Sequence, residues 1–591
     1  FYKQFAITIA ISTVISAFNS LTLSPALSAL LLRDHHAPKD VVTRFMDRGF
    51  GWFFRPFNRF FDWASHKYTA GVARIIRLSA IALIVYLGLL ALTVFGFRQT
   101  PAGFVPVQDK QYLVAFAQLP DAASLERTDS VIRRMSEIAL KHPGTANAIA
   151  FPGLSINGFT NSPNSGIVFV ALKDFDERKS PELSGQAIAQ QLQAEFGQIQ
   201  DAFIAIFPPP PVQGLGTIGG FKLYVEDRGD LGYDALYQAT QDLIAKGRES
   251  GELTGLFSSY TINTPQLAAD VDRAKAKSQG VPLQNVFETM QIYLGSLYVN
   301  DFNRFGRTYQ VVAQADAEFR DHAEDIARLK TRNAAGQMVP LGTLVNVSET
   351  YGPDRVMRYN GYPAAEINGA AAPGFSSGQA EAKISELAAQ HLPKGMAVDW
   401  TELVYQRIIA GNTGVLIFPL SVLLVFLVLA AQYESFRLPF AVILIVPLAL
   451  LAALAGVWVT RGDNNIFTQI GLIVLIGLAA KNAILIVEFA VKRREEGLSA
   501  VDAALEAARL RLRPILMTSI AFIAGVFPLV VSTGAGAEMR RAMGVAVFAG
   551  MIGVTIFGLF LTPVFYVVLE KIGLKKRAPA ALPTEATPTT A

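Results

Sequence analysis

The residue in this 591-residue sequence whose setting most demands a chemical explanation is a lysine inside an apolar run. Lys481 stands in the run GLAAKNAILIVEF, about fifteen residues from the outer end of its segment, so a spanning helix would hold the ammonium near mid-membrane. An ammonium in hydrocarbon costs at least ~2.5–3.5 kcal/mol, so the side chain is expected to face other helices and an anionic partner. Glu488 follows seven residues later, about 10 Å away along a helix, which is too far for a direct pair.

Two polar residues in the next apolar segment extend this pattern. Arg511 and Thr518 are seven residues apart and share one helical face, with Arg511 at the cytoplasmic mouth and Thr518 about two turns deeper. A lysine, a hydroxyl and an entry-side arginine on adjacent helices form a polar relay of the kind that marks proton pathways. Alternatively, Thr518 bonds its own backbone and Arg511 is an ordinary cytoplasmic-side cation. In either case Lys481 lacks an acid at its own depth, and we expect that carboxylate outside this chain.

The segments that carry these residues belong to a membrane protein. The composition is 51% hydrophobic and only 17% charged, with a mean hydropathy of +0.34, whereas soluble domains hold about 25% charged residues. An uncharged apolar stretch of about 20 residues can span the hydrocarbon core as a helix. The sequence predicts seven spans, at 5–32, 78–97, 413–431, 438–460, 466–490, 514–533 and 542–569.

The loops indicate the orientation of the spans, because lysine and arginine accumulate on the cytoplasmic side. Residues 33–77 hold nine basic and four acidic residues, and 491–513 hold six and four. Both loops and the tail 571–591, which we expect to be disordered, are therefore cytoplasmic, and 98–408 lies outside. Within the first loop, aromatic and basic residues of 50–63 predict a helix lying in the membrane interface. A loop with exposed aromatic residues is the alternative.

A short motif suggests an internal repeat. Leu-x-Leu-(Ser/Thr)-Pro occurs at Leu21–Pro25 and again at Leu559–Pro563, each near the cytoplasmic end of a span. Parallel repeats of this kind relate two halves of a transporter around an axis along the membrane normal. We therefore expect residues 1–32 to be the last helix of a first half, and the chain to be a fragment that lacks the rest of that half.

The external region shows a regular order of predicted strands and helices. Residues 98–219 show the pattern β-α-β-β-α-β of a ferredoxin-like unit. The predicted strands are 111–118, 146–151, 167–172 and 202–207, and the predicted helices are 122–141 and 181–198. A second such unit spans 220–274 and 355–408, with strands near 255–260, 266–271, 363–368 and 396–401 among its elements. Residues 275–354 interrupt it as an inserted α/β subdomain, and the two units side by side offer a cleft.

An irregular loop in the first unit is the candidate binding element. Residues 152–166 are rich in Gly, Asn, Ser and Pro and carry spaced apolar side chains. A mobile loop of this kind beside a cleft could bind oily ligands by loose packing. The alternative is that Phe151, Phe159, Phe169 and Phe203 are simply core or loop-anchoring residues.

Several function classes are excluded by what the sequence lacks. It contains no cysteine, no G-x-x-x-x-G-K-[ST] loop and no H-E-x-x-H motif. These absences argue against ATP-driven steps and against metal or thiol chemistry, and we expect no cofactor. The net charge of +4 is small for this length, so a nucleic-acid partner is not expected.

The longer motifs resemble a known family. The segments SPALSALLL, GQMVPLGTL, AAQYESFRLPF, IGLAAKNAILIVEFA, RLRPILMTSIAFIAGVFPLVVSTGAG and LTPVFYVV are similar to the resistance-nodulation-division (RND) superfamily, over essentially all of 1–570. The most similar branch is the hydrophobe/amphiphile multidrug efflux transporters of Gram-negative bacteria. The resemblance implies a polytopic α-helical protein of the inner membrane with ferredoxin-like periplasmic porter subdomains. It also implies that 275–354 is a docking subdomain, and that a homotrimer works with a periplasmic adaptor and an outer-membrane channel.

The resemblance also assigns roles to single residues. Lys481, Arg511 and Thr518 match the lysine, arginine and threonine of the family's proton relay, whose aspartate pair falls outside this chain. The family's flexible switch loop matches about 153–163. The aromatic drug pocket of the family maps onto a set of five positions, although related pumps show more phenylalanine in the loop. These positions are Phe151, Leu154, Ile156, Phe159 and Phe169.

Three functions follow as hypotheses. The first is a proton-coupled antiporter, not an enzyme, that exports amphiphilic drugs from the periplasm and inner membrane. The second is a protein or lipid translocation factor of the same superfamily, driven by the same gradient; the docking insertion argues against it. The third, a passive membrane scaffold, leaves Lys481 unexplained.

Overall fold

The computed structural model describes residues 2–31, 41–156, 158–411 and 413–573. The chain begins with three helices, α1 (Tyr2–Leu31), α2 (Val41–Arg77) and α3 (Ser79–Gln99). Two α/β units, an insertion and a helical bundle follow. The start of the predicted cytoplasmic loop, 33–40, and most of the predicted disordered tail, 574–591, lie outside the described residues.

Helix α2 extends beyond the aromatic segment 50–63, for which a helix was predicted. Tyr68, Val72 and Ile76 are buried in the core of the membrane bundle, whereas Trp52 and Trp63 are exposed. The helical prediction for 50–63 is therefore confirmed, and the alternative of an irregular loop is wrong. The position of α2 in the membrane interface stays a prediction.

The first α/β unit has the predicted order of elements. It comprises β1 (Tyr112–Gln118), α4 (Leu125–Lys141), β2 (Thr145–Leu154), β3 (Asn161–Leu172), α5 (Gly185–Phe196) and β4 (Phe203–Phe207). Its antiparallel sheet has the order β2-β3-β1-β4. Because side chains alternate along β1, Leu113 and Ala115 pack with α4 and α5, whereas Val114 and Phe116 enter a separate apolar cluster. The face without helices is therefore available to build a site.

The second unit begins in the same way. It starts with β5 (Phe221–Asp227), α6 (Tyr233–Glu249) and β6 (Leu253–Phe257), and β7 (Thr264–Val271) follows. The insertion then contributes α7 (Arg273–Ser278), α8 (Leu283–Met290), β8 (Leu297–Arg304), β9 (Arg307–Ala313), α9 (Ala323–Arg328), β10 (Lys330–Arg332), β11 (Met338–Pro340) and β12 (Val345–Gly352). The core of the insertion is formed by Ala276, Val281, Val286, Leu341, Leu344 and Val345. It therefore has a hydrophobic cluster of its own.

The chain then returns to the second unit. It adds β13 (Met357–Tyr359), β14 (Tyr362–Ala371), α10 (Ser377–His391) and β15 (Met396–Trp400). The sheet has the order β13-β14-β5-β15, and β6 also pairs with β14. The strand predicted at 266–271 exists as β7, but it is not part of this sheet: it pairs with β12 over Thr264–Val271. The β7–β12 ladder thus forms an arm between the insertion and the second unit.

The C-terminal region is a helical bundle. It contains α11 (Glu402–Ala410), α12 (Thr413–Tyr433), α13 (Leu438–Ile443), α14 (Val446–Val459), α15 (Ile466–Glu495), α16 (Ala500–Val530) and α17 (Ala537–Gly573). Within the described ranges seven segments are long and apolar enough to span a membrane, and they coincide with the seven predicted spans. Helix α17 lies at the centre, where a Cβ on Gly550 would overlap the Leu475 side chain of α15. Small residues of this kind let membrane helices approach closely.

A side chain of α2 contacts α17 where Pro563 interrupts its backbone hydrogen bonds. Pro563 has no backbone N–H, so the carbonyl of Leu559 loses its helical donor. The Tyr68 hydroxyl donates to this carbonyl at 2.6 Å, and the Tyr68 ring packs edge-on against Phe560. The second copy of the repeated motif, Leu559–Pro563, is therefore stabilised by a side chain of α2.

Candidate functional site

Helix α15 places Lys481 about halfway along the depth of the bundle. The helix begins at Ile466 after Asn465, whose side-chain oxygen accepts hydrogen bonds from the amides of Phe467 and Thr468 at 2.9 and 3.0 Å. Lys481 is fifteen residues further on, about 22 Å along the helix axis. The predicted mid-depth position is therefore what the helix geometry gives.

The two sides of α15 differ sharply at this depth. Ala479, Ala480 and Ala483 are buried against the bundle, whereas Lys481 and Glu488 are exposed on the other side. Within the described part of the chain Lys481 forms no ion pair, with Glu488 or with any other acid. In a membrane an exposed ammonium at this depth would face hydrocarbon, at a cost of at least ~2.5–3.5 kcal/mol.

A buried hydrogen bond connects α15 to α16 beside Lys481. The Asn482 amide donates to the Ser519 hydroxyl at 3.0 Å, and both residues are buried. The helices are antiparallel, so this bond brings Lys481 and Thr518 to within about 3 Å of the same depth. The sequence analysis missed Asn482 and Ser519, although polar residues next to Lys481 and Thr518 were a visible signal. The bond fixes the relative position of the predicted relay residues.

Thr518 and Arg511 make local contacts in this structure. The Thr518 hydroxyl donates to the Ile515 carbonyl at 3.1 Å, which is the alternative foreseen for it. The Arg511 guanidinium lies over the Phe489 ring at 4.6 Å, and its buried Nε has no hydrogen-bond partner among the described residues. Lys481 and Thr518 thus share a depth with Arg511 two turns below, without hydrogen bonds joining the three.

The predicted drug-contacting residues divide between surface and core. Phe151 and Phe159 are 42% and 47% exposed, while Leu154 and Phe169 are partly buried. Ile156 is only 6% exposed and lies in the apolar cluster on the free face of the first sheet. Ile156, which the anchoring alternative did not name, is therefore a core residue, whereas Phe151 and Phe159, which it did name, are exposed.

The apolar cluster on this face contains rings that the sequence analysis did not select. Phe116 lies 4.6 Å from Phe257 of the second unit and 6.2 Å from Phe207, measured between ring centroids. Phe203 borders the same rings and is 47% exposed. The alternation of Val114 and Phe116 along β1 was the available signal. The face therefore joins the two units through aromatic contacts.

The predicted cleft between the two units is present. It has a volume of about 1400 Å³. It is lined by α5, β4, β6 and residues 370–377 of the two units, and by residues at the outer ends of the membrane helices, 99–101 and 458–463. Phe203 and Phe207 contribute to its wall. It is not lined by any of the five predicted drug-contacting residues, three of which, Leu154, Ile156 and Phe169, belong to or pack against the cluster.

Two partly shielded acids outside the spans have basic partners. Burial raises the pKa of the Glu402 carboxyl, and Lys222 at 3.8 Å partly offsets this. Burial would also raise the pKa of Asp109, but hydrogen bonds from Arg178 and from two backbone amides outweigh it, so that pKa is lowered. Each of these two acids is therefore shielded together with a cation.

Comparison with known proteins agrees with this architecture. The sequence profile of the AcrB/AcrD/AcrF family matches residues 1–570. The multidrug/solvent efflux pump membrane transporter MepB of Pseudomonas putida is 39% identical over 579 residues, which are 97% of this chain and 54% of that protein. The multidrug export protein AcrF of Escherichia coli K12 is 39% identical, over 96% of this chain and 54% of AcrF.

A third relative is likewise matched over about half of its own length. The multidrug resistance protein MdtF of Escherichia coli K12 is 37% identical over 97% of this chain and 54% of MdtF. The chain thus spans about half the length of the curated relatives it matches. The resemblance noted in the sequence and the assignment to the inner membrane are confirmed. The chain belongs to the AcrB/AcrD/AcrF family of RND transporters of the bacterial inner membrane.

Proposed function

We propose that this chain supplies the cation and the external cleft of a proton-coupled exporter of amphiphilic drugs. The observation that carries the proposal is Lys481, exposed at mid-depth on the open side of α15. The names of the relatives support the substrate class, because they describe multidrug and solvent efflux pumps. The acids that complete the site would lie on helices outside this chain.

The proposed chemistry is the making and breaking of a buried ion pair. When its acids are ionised, Lys481 pairs with them, and when they take up protons the ammonium loses its partner. Removing one partner from a buried pair costs about 3–5 kcal/mol, which is enough to change the packing of helices. The Asn482–Ser519 bond would make α15 and α16 respond together.

Backbone hydrogen bonds offer a direct route from α15 to the cleft. The amides of Asn464 and Ile466, at the outer end of α15, donate to the carbonyls of Pro101 and Phe104 at 2.8 and 3.0 Å. The carbonyl of Ala102, in the same strip, accepts from the Ser376 hydroxyl at 2.6 Å. Ser376 caps α10 of the second unit. A tilt of α15 would therefore move the cleft wall without a flexible linker between them.

The finer assignments extend this proposal. We infer that the two α/β units are ferredoxin-like porter subdomains with the boundaries given above, and that the insertion 275–354 is a docking subdomain. The assembly would be a homotrimer bound to a periplasmic adaptor and an outer-membrane channel. The sheet order of the first unit and the separate core of the insertion support these assignments.

Export by the full-length protein in a strain without other pumps tests the proposal. We expect Lys481→Ala to abolish drug resistance while the protein remains folded in the membrane. The matched control is Lys492→Ala, which removes an exposed lysine from the cytoplasmic end of the same helix and should leave export unchanged. Normal export by Lys481→Ala would refute the proposed coupling. Export of lipid or protein but no drug would favour the translocation factor.

A further inference from the structure

We propose that Arg248 makes the cleft between the two units selective for anionic amphiphiles, that is, for apolar molecules that carry a carboxylate or a sulfonate. The inference rests on the proposed function for transport, whereas binding to the cleft can be measured separately. Of the described residues that line the cleft, three are charged: Arg248, Arg461 and Asp463. The described wall therefore carries two cations and one anion.

The two charges at the membrane end of the cleft oppose each other. Arg461 and Asp463 belong to the short turn between α14 and α15. Asp463 accepts a hydrogen bond from the Asn465 side chain at 2.7 Å. It also packs against Gly103, where a Cβ would overlap the carboxylate. A molecule bound at this end would meet an arginine and an aspartate together, so little net preference for either sign of charge is expected there.

Arg248 is the charged residue that the second unit contributes to the described wall of the cleft. It lies in the last turn of α6 and is exposed, and it forms no ion pair with any acid in the described ranges. The acids nearest to it in the chain already have partners, because Glu249 accepts from Lys246 at 2.9 Å and Glu252 lies 3.8 Å from Lys383. The positive charge of Arg248 is therefore available to a ligand.

A hydrogen bond fixes the guanidinium beside the aromatic wall of the cleft. One terminal nitrogen of Arg248 donates to the Leu256 carbonyl of β6 at 2.9 Å. The preceding residue, Gly255, has a φ of +62°, which favours glycine, and a Cβ there would stand 3.0 Å from the Phe207 ring. Phe203, which is 47% exposed, lines the same cleft. The remaining N–H groups of Arg248 are therefore left for an anion whose apolar part contacts these rings.

The first unit supplies uncharged polar groups to the cleft. Gln186, Gln190 and Gln193 share one face of α5, because they follow one another at helical spacing, and all three line the cleft. Gln193 covers the edge of β4, where it donates to the Ile204 carbonyl and accepts from the Ile206 amide, both at 3.0 Å. The described part of this wall contains no acid that would balance a cationic ligand, whereas amide N–H groups suit the oxygens of a carboxylate or a sulfonate.

Binding of two matched probes to the purified full-length protein, in nanodiscs of zwitterionic lipid, tests the charge preference. The probes are anilinonaphthalene sulfonate and phenylnaphthylamine, which share their rings and differ in the sulfonate. We expect Arg248→Gln to weaken binding of the sulfonate probe about tenfold, because a charge-assisted hydrogen bond is lost. Binding of the neutral probe should change far less, which also shows that the variant is folded. Arg248→Lys, which keeps the charge without the planar fork, should fall between.

The matched control is Lys246→Gln, which removes an exposed cation from the same last turn of α6 but not from the described wall of the cleft. This variant should bind both probes as wild type does. An equal loss of both probes in Arg248→Gln would overturn the proposal and leave Arg248 as a residue that only stabilises the edge of β6. An unchanged affinity for the sulfonate probe would overturn it as well.

Transport kinetics then test the consequence for export. In Arg248→Gln the KM for an anionic substrate should rise about tenfold, while the KM for a neutral relative with the same rings should change far less. An unaltered KM for the anionic substrate would overturn the role of Arg248 in selecting exported molecules. If the wild type binds the sulfonate probe through Arg248 but exports no drug, the proposed function fails while the binding site stands.

Discussion

Two shielded ion pairs of the external units contrast with a lysine of the membrane bundle that has no ion-pair partner among the described residues. Arg178 is buried against Asp109 with contacts at 2.8 and 3.2 Å, and Glu226 is buried against Arg228 at 2.6 Å. In the described part of the bundle, Lys481 sits at mid-depth with no acid beside it. A buried charge is tolerated only when it is paired.

The difference indicates where the proposed switch lies. The ion pairs Arg178–Asp109 and Arg228–Glu226 lie within the external units, whereas the proposed function places a further surface on the open side of α15. Helix α1 fits this picture, because none of its described residues is buried, although its Tyr2 and Phe5 contact Gln469 and Phe467 of α15. Under the proposed function, the cation on the open side is the group whose pairing changes during a cycle.

The largest effect is expected where a completed pair is broken. Arg178→Ala should lower the free energy of unfolding by about 3–5 kcal/mol, because it leaves Asp109 partly buried without its cation. Denaturant unfolding of the purified protein in detergent measures this. The matched control is Arg133→Ala, which removes an ion pair of similar length, 2.6 Å, from the exposed side of α4. Equal loss in the two variants would remove the contrast between shielded and exposed pairs.

A smaller loss of stability is expected to distinguish substitutions at two buried tyrosines of the bundle. Tyr68→Phe should cost about 1–3 kcal/mol, because the Leu559 carbonyl freed by Pro563 would lose its donor. Tyr566→Phe should be close to neutral, since the buried Tyr566 hydroxyl has no hydrogen-bond partner in the described structure. Thermal unfolding of both variants, compared with wild type, gives the difference. A larger loss in Tyr566→Phe would show that an undetected partner completes that hydroxyl.

The smallest effect concerns the pH dependence of a pair in the external region. Burial raises the pKa of Glu402 above its usual range, so the folded state holds this proton more tightly than the unfolded state. Stability from Glu402 is therefore present below the unfolded pKa and is lost as the pH rises through the folded pKa. The stability of wild type relative to Glu402→Gln should decline as the pH rises from about 4.5. A difference that grows with pH would show that Lys222 dominates instead.

Local patterns predicted most of the fold. Length and apolar character were sufficient for the seven spans, and alternation with turn residues gave the order of elements in both units. The pairing of β7 with β12 was not predictable, because alternation identifies a strand but not its partner. The length of α2 was also missed, since aromatic residues marked only the segment 50–63 of Val41–Arg77.

The site was predictable only where the polarity of a residue did not match the apolar residues around it. Lys481 stands out because a charged residue in an apolar helix is energetically costly. Its depth in the membrane followed from counting residues along the helix. The Asn482–Ser519 bond and the insertion of Ile156 into the aromatic cluster depend on how distant segments pack. The place of Arg248 in the wall of the cleft likewise depends on α5 and β4, which lie far from it in the chain, so no local pattern indicates it.

The most direct test of the account is an experimental structure of the full-length protein in its different states. We predict that in at least one state the Lys481 ammonium lies within ion-pair distance of a carboxylate from a helix outside this chain, and that the open side of α15 is covered there. An ammonium that faces lipid, or that meets no acid in any state, would contradict the account.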